Sequence, residues 1–144
     1  MLSKNQIKYI NSLQIKKYRQ EHQSFVVKGA KSVVELLASD YEVETVWATP
    51  EFQQQHQAAL AARRVPLETV TLSDLEKLGS FQSNDSCLAV AKTKENRFLC
   101  ADPGGFGRLL HDVRDPGNRG TVLRIADWYG ITKIICSEST TDLY

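Results

Sequence analysis

The 144-residue sequence has little of what metal and disulfide chemistry require. Its three cysteines, Cys87, Cys100 and Cys136, are odd in number, widely spaced and never paired as C-x-x-C. Neither a disulfide framework nor a zinc site is expected from them. The three histidines are equally scattered, and no metal is expected. Long apolar runs are missing too. A segment such as 43–48 is interrupted by Glu44 and Thr45, whereas a membrane helix needs ~20 apolar residues. Lys4 and Lys8 lead into a mixed amphipathic stretch rather than a signal-peptide core, so no membrane association and a cytoplasmic location are expected. A phosphate-cradling glycine loop is also lacking. Gly105-Phe106-Gly107 has no third glycine at G-x-G-x-x-G spacing, and no helix signal opens there, which sets a nucleotide-binding protein aside.

What is present is a globular composition with an uneven charge. Apolar residues make up 42% of the chain, the profile of a folded domain rather than a disordered tail. The net charge of +1 hides two opposed parts. Residues 1–31 hold seven basic side chains against Glu21 alone, a net +6, and the remainder carries −5. A basic arm on an acidic body points to a polyanionic partner, the bland alternative being a solvated helix face.

Helix and strand signals alternate, which implies an α/β fold with mostly parallel pairing and helices on both faces of a sheet. Ser3 is a plausible cap for a helix over 4–18, with Ile7, Ile10 and Leu13 on one face. A strand at 25–28, a helix from Gly29 to Ser39-Asp40 and a strand at 42–48 follow. Thr49-Pro50 opens a helix to about Arg64. A strand at 67–71, a short helix capped by Ser73 with Glu76 three residues on, and a strand at 87–91 complete a first unit, 1–92. The composition break at 93–107 reads as a linker. A second unit, 108–144, has strands at 108–113 and 131–136 around a turn at 115–118 and a helix over 120–129, stopped by Gly130. Two parallel strands and one helix leave a sheet face uncovered, so this unit reads as unfinished.

The densest chemistry lies between Leu110 and Gly130, where Asp112-x-x-Asp115-Pro116-Gly117-Asn118 ends a strand and a helix begins. Open α/β sheets bind ligands at the carboxyl ends of their strands. An amide such as Asn118 can orient a hydroxyl, and a guanidinium such as Arg124 can clamp a phosphate. On periodicity alone an ordinary tight turn and amphipathic helix explain the segment better. Asp112, Asp115, Pro116, Asn118, Gly120, Arg124, Ala126 and Gly130, however, all fall on a pattern that resembles motif 1 of the SpoU (TrmH) family of RNA methyltransferases, D-x-x-D-P-x-N-x-G-x-x-x-R-x-A-x-x-x-G. Residues 13–37, with Lys17-Tyr18-Arg19, Phe25-Val26-Val27-x-Gly29-x-Lys31 and Glu35, look like the substrate-binding domain that precedes the catalytic domain in many members. Two departures stand out: Ser83-Asn84-Asp85-Ser86 replaces a Pro-Gln-Gly-like element, and Lys28 stands where an acid is common.

The resemblance implies a ribosomal-protein-like α/β/α sandwich, followed by an incomplete parallel α/β (SPOUT-type) unit without the C-terminal trefoil knot. It implies transfer of a methyl group from S-adenosylmethionine to a ribose 2′-hydroxyl of ribosomal or transfer RNA, with Asn118 and Arg124 as catalytic residues and a homodimer in the full-length protein. The motifs that build the methyl-donor site are expected beyond residue 144, so no donor-binding residue is assigned within the chain. In this setting Lys16, Lys17, Arg19, Lys28 and Lys31 become candidate RNA contacts. The alternative is a non-catalytic RNA-binding module.

Overall fold

The computed structural model describes residues 1–78, 86–97, 99–100, 102–141 and 144. The chain divides into two units, Met1–Lys94 with Tyr144, and Glu95–Leu143. Ser83, Asn84 and Asp85, of the departure noted above, lie outside the described residues.

The first unit begins with α1 (Lys4–Ser12), whose Ser3 cap and Gln6 form a reciprocal capping box. The single helix expected over 4–18 is in fact two. The Ser12 hydroxyl donates to the Tyr9 carbonyl at 2.6 Å and competes with the helical ladder. Ile15 is extended, and α2 (Lys16–His22) starts afresh. β1 (Ser24–Lys28), α3 (Ala30–Ala38) and β2 (Val43–Ala48) follow close to expectation. Thr49 caps α4 (Pro50–Gln55), and a kink at His56 separates it from α5 (Gln57–Arg63). β3 (Leu67–Thr69) leads to α6 (Leu72–Glu76), and β4 (Cys87–Lys92) closes the unit. The cap of α6 is Thr71 with Asp74, not Ser73 with Glu76, a register two residues earlier on equally good capping chemistry.

Pairing corrects the expectation of a mostly parallel sheet. The strand order is β1-β4-β2-β3, and β4 runs antiparallel to both neighbours; only β2 and β3 pair in parallel. Helices do cover both faces, as the alternation along β4 makes plain. Cys87, Ala89 and Ala91 join a core with Val33, Leu36, Leu37, Phe52 and Leu60 from α3, α4 and α5. Leu88 and Val90 join the opposite core with Ile10, Leu13, Trp47, Leu75 and Leu78. Successive residues of a strand face opposite sides, so a strand buried at every position from 87 to 91 must be covered twice.

One carboxylate ties four elements together at the amino-terminal end of β2. Glu44 accepts hydrogen bonds from the Tyr9 and Ser24 hydroxyls, both at 3.0 Å, and pairs with Lys92 at 2.5 Å. Burial pushes its carboxyl up, but bonds from Lys92, Tyr9 and Ser24 outweigh this and hold it below its ordinary 4.5. The Lys92 ammonium is raised above 10.5 by its bond to Glu44, and burial raises the Tyr9 phenol above 10.0. The Glu44 contribution to stability is therefore present above about pH 4.5 and is lost as pH falls through the lowered value; those of Lys92 and Tyr9 are present below about pH 10 and are lost as pH climbs through the raised ones. Allowing for solvent screening, Glu44→Gln is expected to cost about 1 kcal/mol at neutral pH. Thermal melts of both proteins from pH 7 down to 3 check this: the gap must close on the acid side.

The second unit pairs β5 (Gly107–Leu110) in parallel with β6 (Lys133–Cys136) around α7 (Pro116–Trp128). β5 is shorter than the expected 108–113, because Asp112 turns the chain with φ +54°. The expected turn at 115–118 is the first turn of α7: Asp115 caps it and Pro116 occupies its first position. Pro116 lacks only an N–H that helix geometry leaves without an intrahelical partner. Leu109, Ile125, Trp128, Tyr129 and Ile135 remain exposed, the uncovered apolar surface that so small a unit was expected to have. No described helix is long and apolar enough to cross a membrane.

Candidate functional site

The loop from β5 into α7 is built by its own polar side chains. The Asp112 carboxylate accepts from Arg114 Nε at 2.7 Å. Asp115 accepts the backbone N–H groups of Gly117 and Asn118 at 3.3 and 3.2 Å, satisfying donors that a helix start leaves open. With the acidic cap in place, the Asn118 and Arg124 side chains are both exposed on α7. Six residues on a helix separate them by about 120° around the axis and about 9 Å along it. The structure thus sets the two catalytic candidates on one rigid helix without bringing them into contact.

The basic candidates separate into distinct settings. Lys16 and Lys17 are exposed in the first turn of α2, with Lys17 Nζ 5.7 Å from the Tyr18 ring centre. Arg19 is turned inward: its guanidinium donates to the carbonyls of Leu13 and Gln14 at 3.0 and 2.8 Å, bracing the corner between α1 and α2. Lys28 is half-buried at the end of β1, and Lys31 is exposed in the first turn of α3, beyond Gly29 at φ +87°. None of α1, α2 and α3 has an acidic residue in its first turn, although each carries a lysine there. Helix dipoles favour acids at that end, so these lysines sit where helix stability does not ask for them. Charge counting along the sequence missed this signal, which capping positions would have exposed.

Sequence reasoning also passed over Ser137 and Thr140, read only as a polar tail. Both place hydroxyls against the motif loop. An apolar groove on the second unit is lined by Phe106, Leu109, Val122, Ile125 and Tyr129, with Arg108 as its one charged lining residue among those described.

Residues 4–89 match the sequence profile of the MRM3-like substrate binding domain. The chain belongs to that family. Solved structures extend the likeness over both units of this MRM3-like chain. A TrmH-family RNA methyltransferase from Porphyromonas gingivalis is 32% identical with a TM-score of 0.82, covering 100% of this chain and 55% of its own. An rRNA methyltransferase from Sinorhizobium meliloti is 28% identical with a TM-score of 0.79, over 99% of this chain and 55% of its own; an AdoMet-bound form of it is also known. An RNA 2′-O ribose methyltransferase is 27% identical with a TM-score of 0.72 over the same shares. The resemblance to SpoU (TrmH) enzymes is borne out by these neighbours, and the chain spans about 55% of the length of each. Among curated proteins, no sequence matches it.

Proposed function

We propose that the MRM3-like chain carries the RNA-facing domain, residues 1–92, and the first part of the catalytic domain, residues 108–144, of a cytoplasmic SpoU-type ribose 2′-O-methyltransferase acting on ribosomal or transfer RNA. The observation that carries this reading is the motif loop at the carboxyl end of β5, which presents Asn118 and Arg124 exposed on a capped helix. A ribose hydroxyl is a poor nucleophile that loses its proton as it attacks. A guanidinium offers donors and no acceptor, so the role of Arg124 is to stabilise the forming oxyanion and to hold the adjacent phosphate. The Asn118 amide orients the substrate. The full-length protein acts as a homodimer, whose second protomer completes the site.

S-adenosylmethionine supplies the methyl group. The groove on the second unit does not fit that molecule, because its lining, apolar but for Arg108, has no carboxylate for ribose hydroxyls or the ammonium of an amino-acid head. Its contacts are therefore assigned to none of these residues. This favours a second reading for the chain acting alone, that of a non-catalytic RNA-binding module.

Lys16, Lys17 and Lys31, with Arg19 and Lys28 between them in sequence, position the RNA backbone without reading its sequence. Changing Lys16, Lys17 and Lys31 together to Ala is expected to lower RNA affinity about tenfold or more near physiological salt. It should also flatten the log–log salt slope by about 2, given ~0.7 per phosphate contact on single strands. A filter-binding salt series measures both quantities. An unaltered slope would show that these lysines do not contact RNA.

A further inference from the structure

The carboxyl ends of β5 and β6 are joined by two hydroxyls that the proposed chemistry leaves without a role. Ser137 Oγ accepts the Asp112 N–H at 2.9 Å. Thr140 Oγ1 accepts the Val113 N–H at 3.3 Å and donates to the Leu110 carbonyl at 3.2 Å. The two hydroxyl oxygens are 3.0 Å apart. Thr140 is only 6% exposed, unlike most polar side chains of this unit. Beside them the Thr141 N–H donates to the Val113 carbonyl at 2.8 Å, and the Arg119 guanidinium of α7 donates to the Thr141 carbonyl.

These bonds surround the one non-glycine residue of the second unit with a positive φ among those described, Asp112 at +54°. A left-handed aspartate is unfavourable on its own and persists where its surroundings over-determine it. Here the Leu110 carbonyl and the Asp112 and Val113 amides are each fixed by a side chain 25 to 30 residues downstream. The turn at Asp112 sends the chain to Asp115, which caps α7, and α7 carries Asn118 and Arg124.

We propose that Ser137 and Thr140 are positioning residues for the methyl-transfer site: their hydroxyls hold Asp112 left-handed and thereby set where α7 starts and where Arg124 stands. The inference rests on the reading of Arg124 given above, and neither hydroxyl touches substrate. It explains why polar residues just after β6 are drawn back against the loop after β5.

The test uses the 144-residue chain and nuclear magnetic resonance. Thr140→Val keeps the shape of the side chain and removes the hydroxyl; Thr140→Ser keeps the hydroxyl. With Thr140→Val, Val113 amide exchange is expected to rise about fivefold to tenfold, the worth of one hydrogen bond, and the Asp112 amide–α-proton coupling should leave its left-handed value. On adding oligouridine, the shift of the Arg124 side-chain Nε–H signal should be lost in Thr140→Val and restored in Thr140→Ser. Affinity set by Lys16 and Lys17 on the other unit should stay unchanged. Should Thr140→Val unfold the second unit, Ser137→Ala, which removes the Asp112 acceptor and the hydroxyl contacts to Ser139 and Thr140 but leaves the Thr140 bonds to Leu110 and Val113, must still speed exchange at Asp112. Unchanged coupling and exchange in both variants would overturn the proposal, as would a Thr140→Ser chain as loose as Thr140→Val. A wild-type chain with no RNA-induced shift at Arg124 would instead sink the role given to Arg124, and the loop measurements would judge the hydroxyls by themselves.

Discussion

Leu88→Ala is expected to destabilise the first unit by about 3 kcal/mol, within the 2–5 kcal/mol typical of emptied leucine sites in cores. Leu88 is fully buried on β4, opposite Lys28 of β1 and Trp47 of β2. Its side chain belongs to the core formed with Ile10, Leu13, Leu75 and Leu78. Collapse into the cavity is restricted, because α1 and α6 are each fixed by a capping box. A loss of that size lowers the melting temperature by roughly 12–24 °C for a unit of this length. Leu72→Ala, at a half-exposed position on α6, is the control and should stay within about 0.5 kcal/mol. Urea unfolding followed by Trp47 fluorescence, in a Trp128→Phe background that silences the exposed indole, measures both. A Leu88→Ala cost under 1 kcal/mol would mean that this face of the sheet is not packed as described.

The second large effect is chemical. In an active enzyme carrying this sequence, Arg124→Ala is expected to lower kcat for methyl transfer about 10²- to 10³-fold, the scale seen when a donor to a developing oxyanion is removed. The RNA KM should change only a few-fold, because the proposed reading assigns most of the ground-state attraction to the lysines of the first unit. Arg124→Lys should recover only part of the rate, since an ammonium lacks the planar fork of a guanidinium. Arg124 is exposed on α7 and has no hydrogen-bond or ion-pair partner among the described residues. Its replacement should therefore leave the melting temperature unaltered, and a rate loss can be assigned to the reaction. Single-turnover kinetics with labelled donor separates kcat from KM; a kcat within threefold of wild type would remove Arg124 from the catalytic role.

How far the sequence could be read depended on whether partners are local. Ser3, and Thr49 with Pro50, were legible as helix starts because the capping groups lie within one turn. Asp115-Pro116-Gly117-Asn118 was legible as a boundary but not as a helix, since those residue types suit a tight turn and a capped first turn equally. β4 was legible as a strand, but its apolar run says nothing of direction, so its antiparallel course was missed. Arg19 was grouped with the lysines by charge, although its guanidinium serves two carbonyls at a corner. Glu44 and Thr140 were invisible because their partners lie 20 to 48 residues away, and no local pattern encodes such a meeting.

The reversed course of β4 also dictates an order of events. β1 and β2 do not pair with each other; each pairs with β4, which lies between them. Until residues 87–92 arrive, neither strand has that neighbour, and the apolar side chains meant for both cores have no central wall. Contacts between segments so far apart in sequence slow folding, because loop closure is paid for before pairing rewards it. A nascent chain thus has its basic arm and both strands of the β2–β3 pair before residues 87–92 can join β1 to that pair and complete the four-stranded sheet.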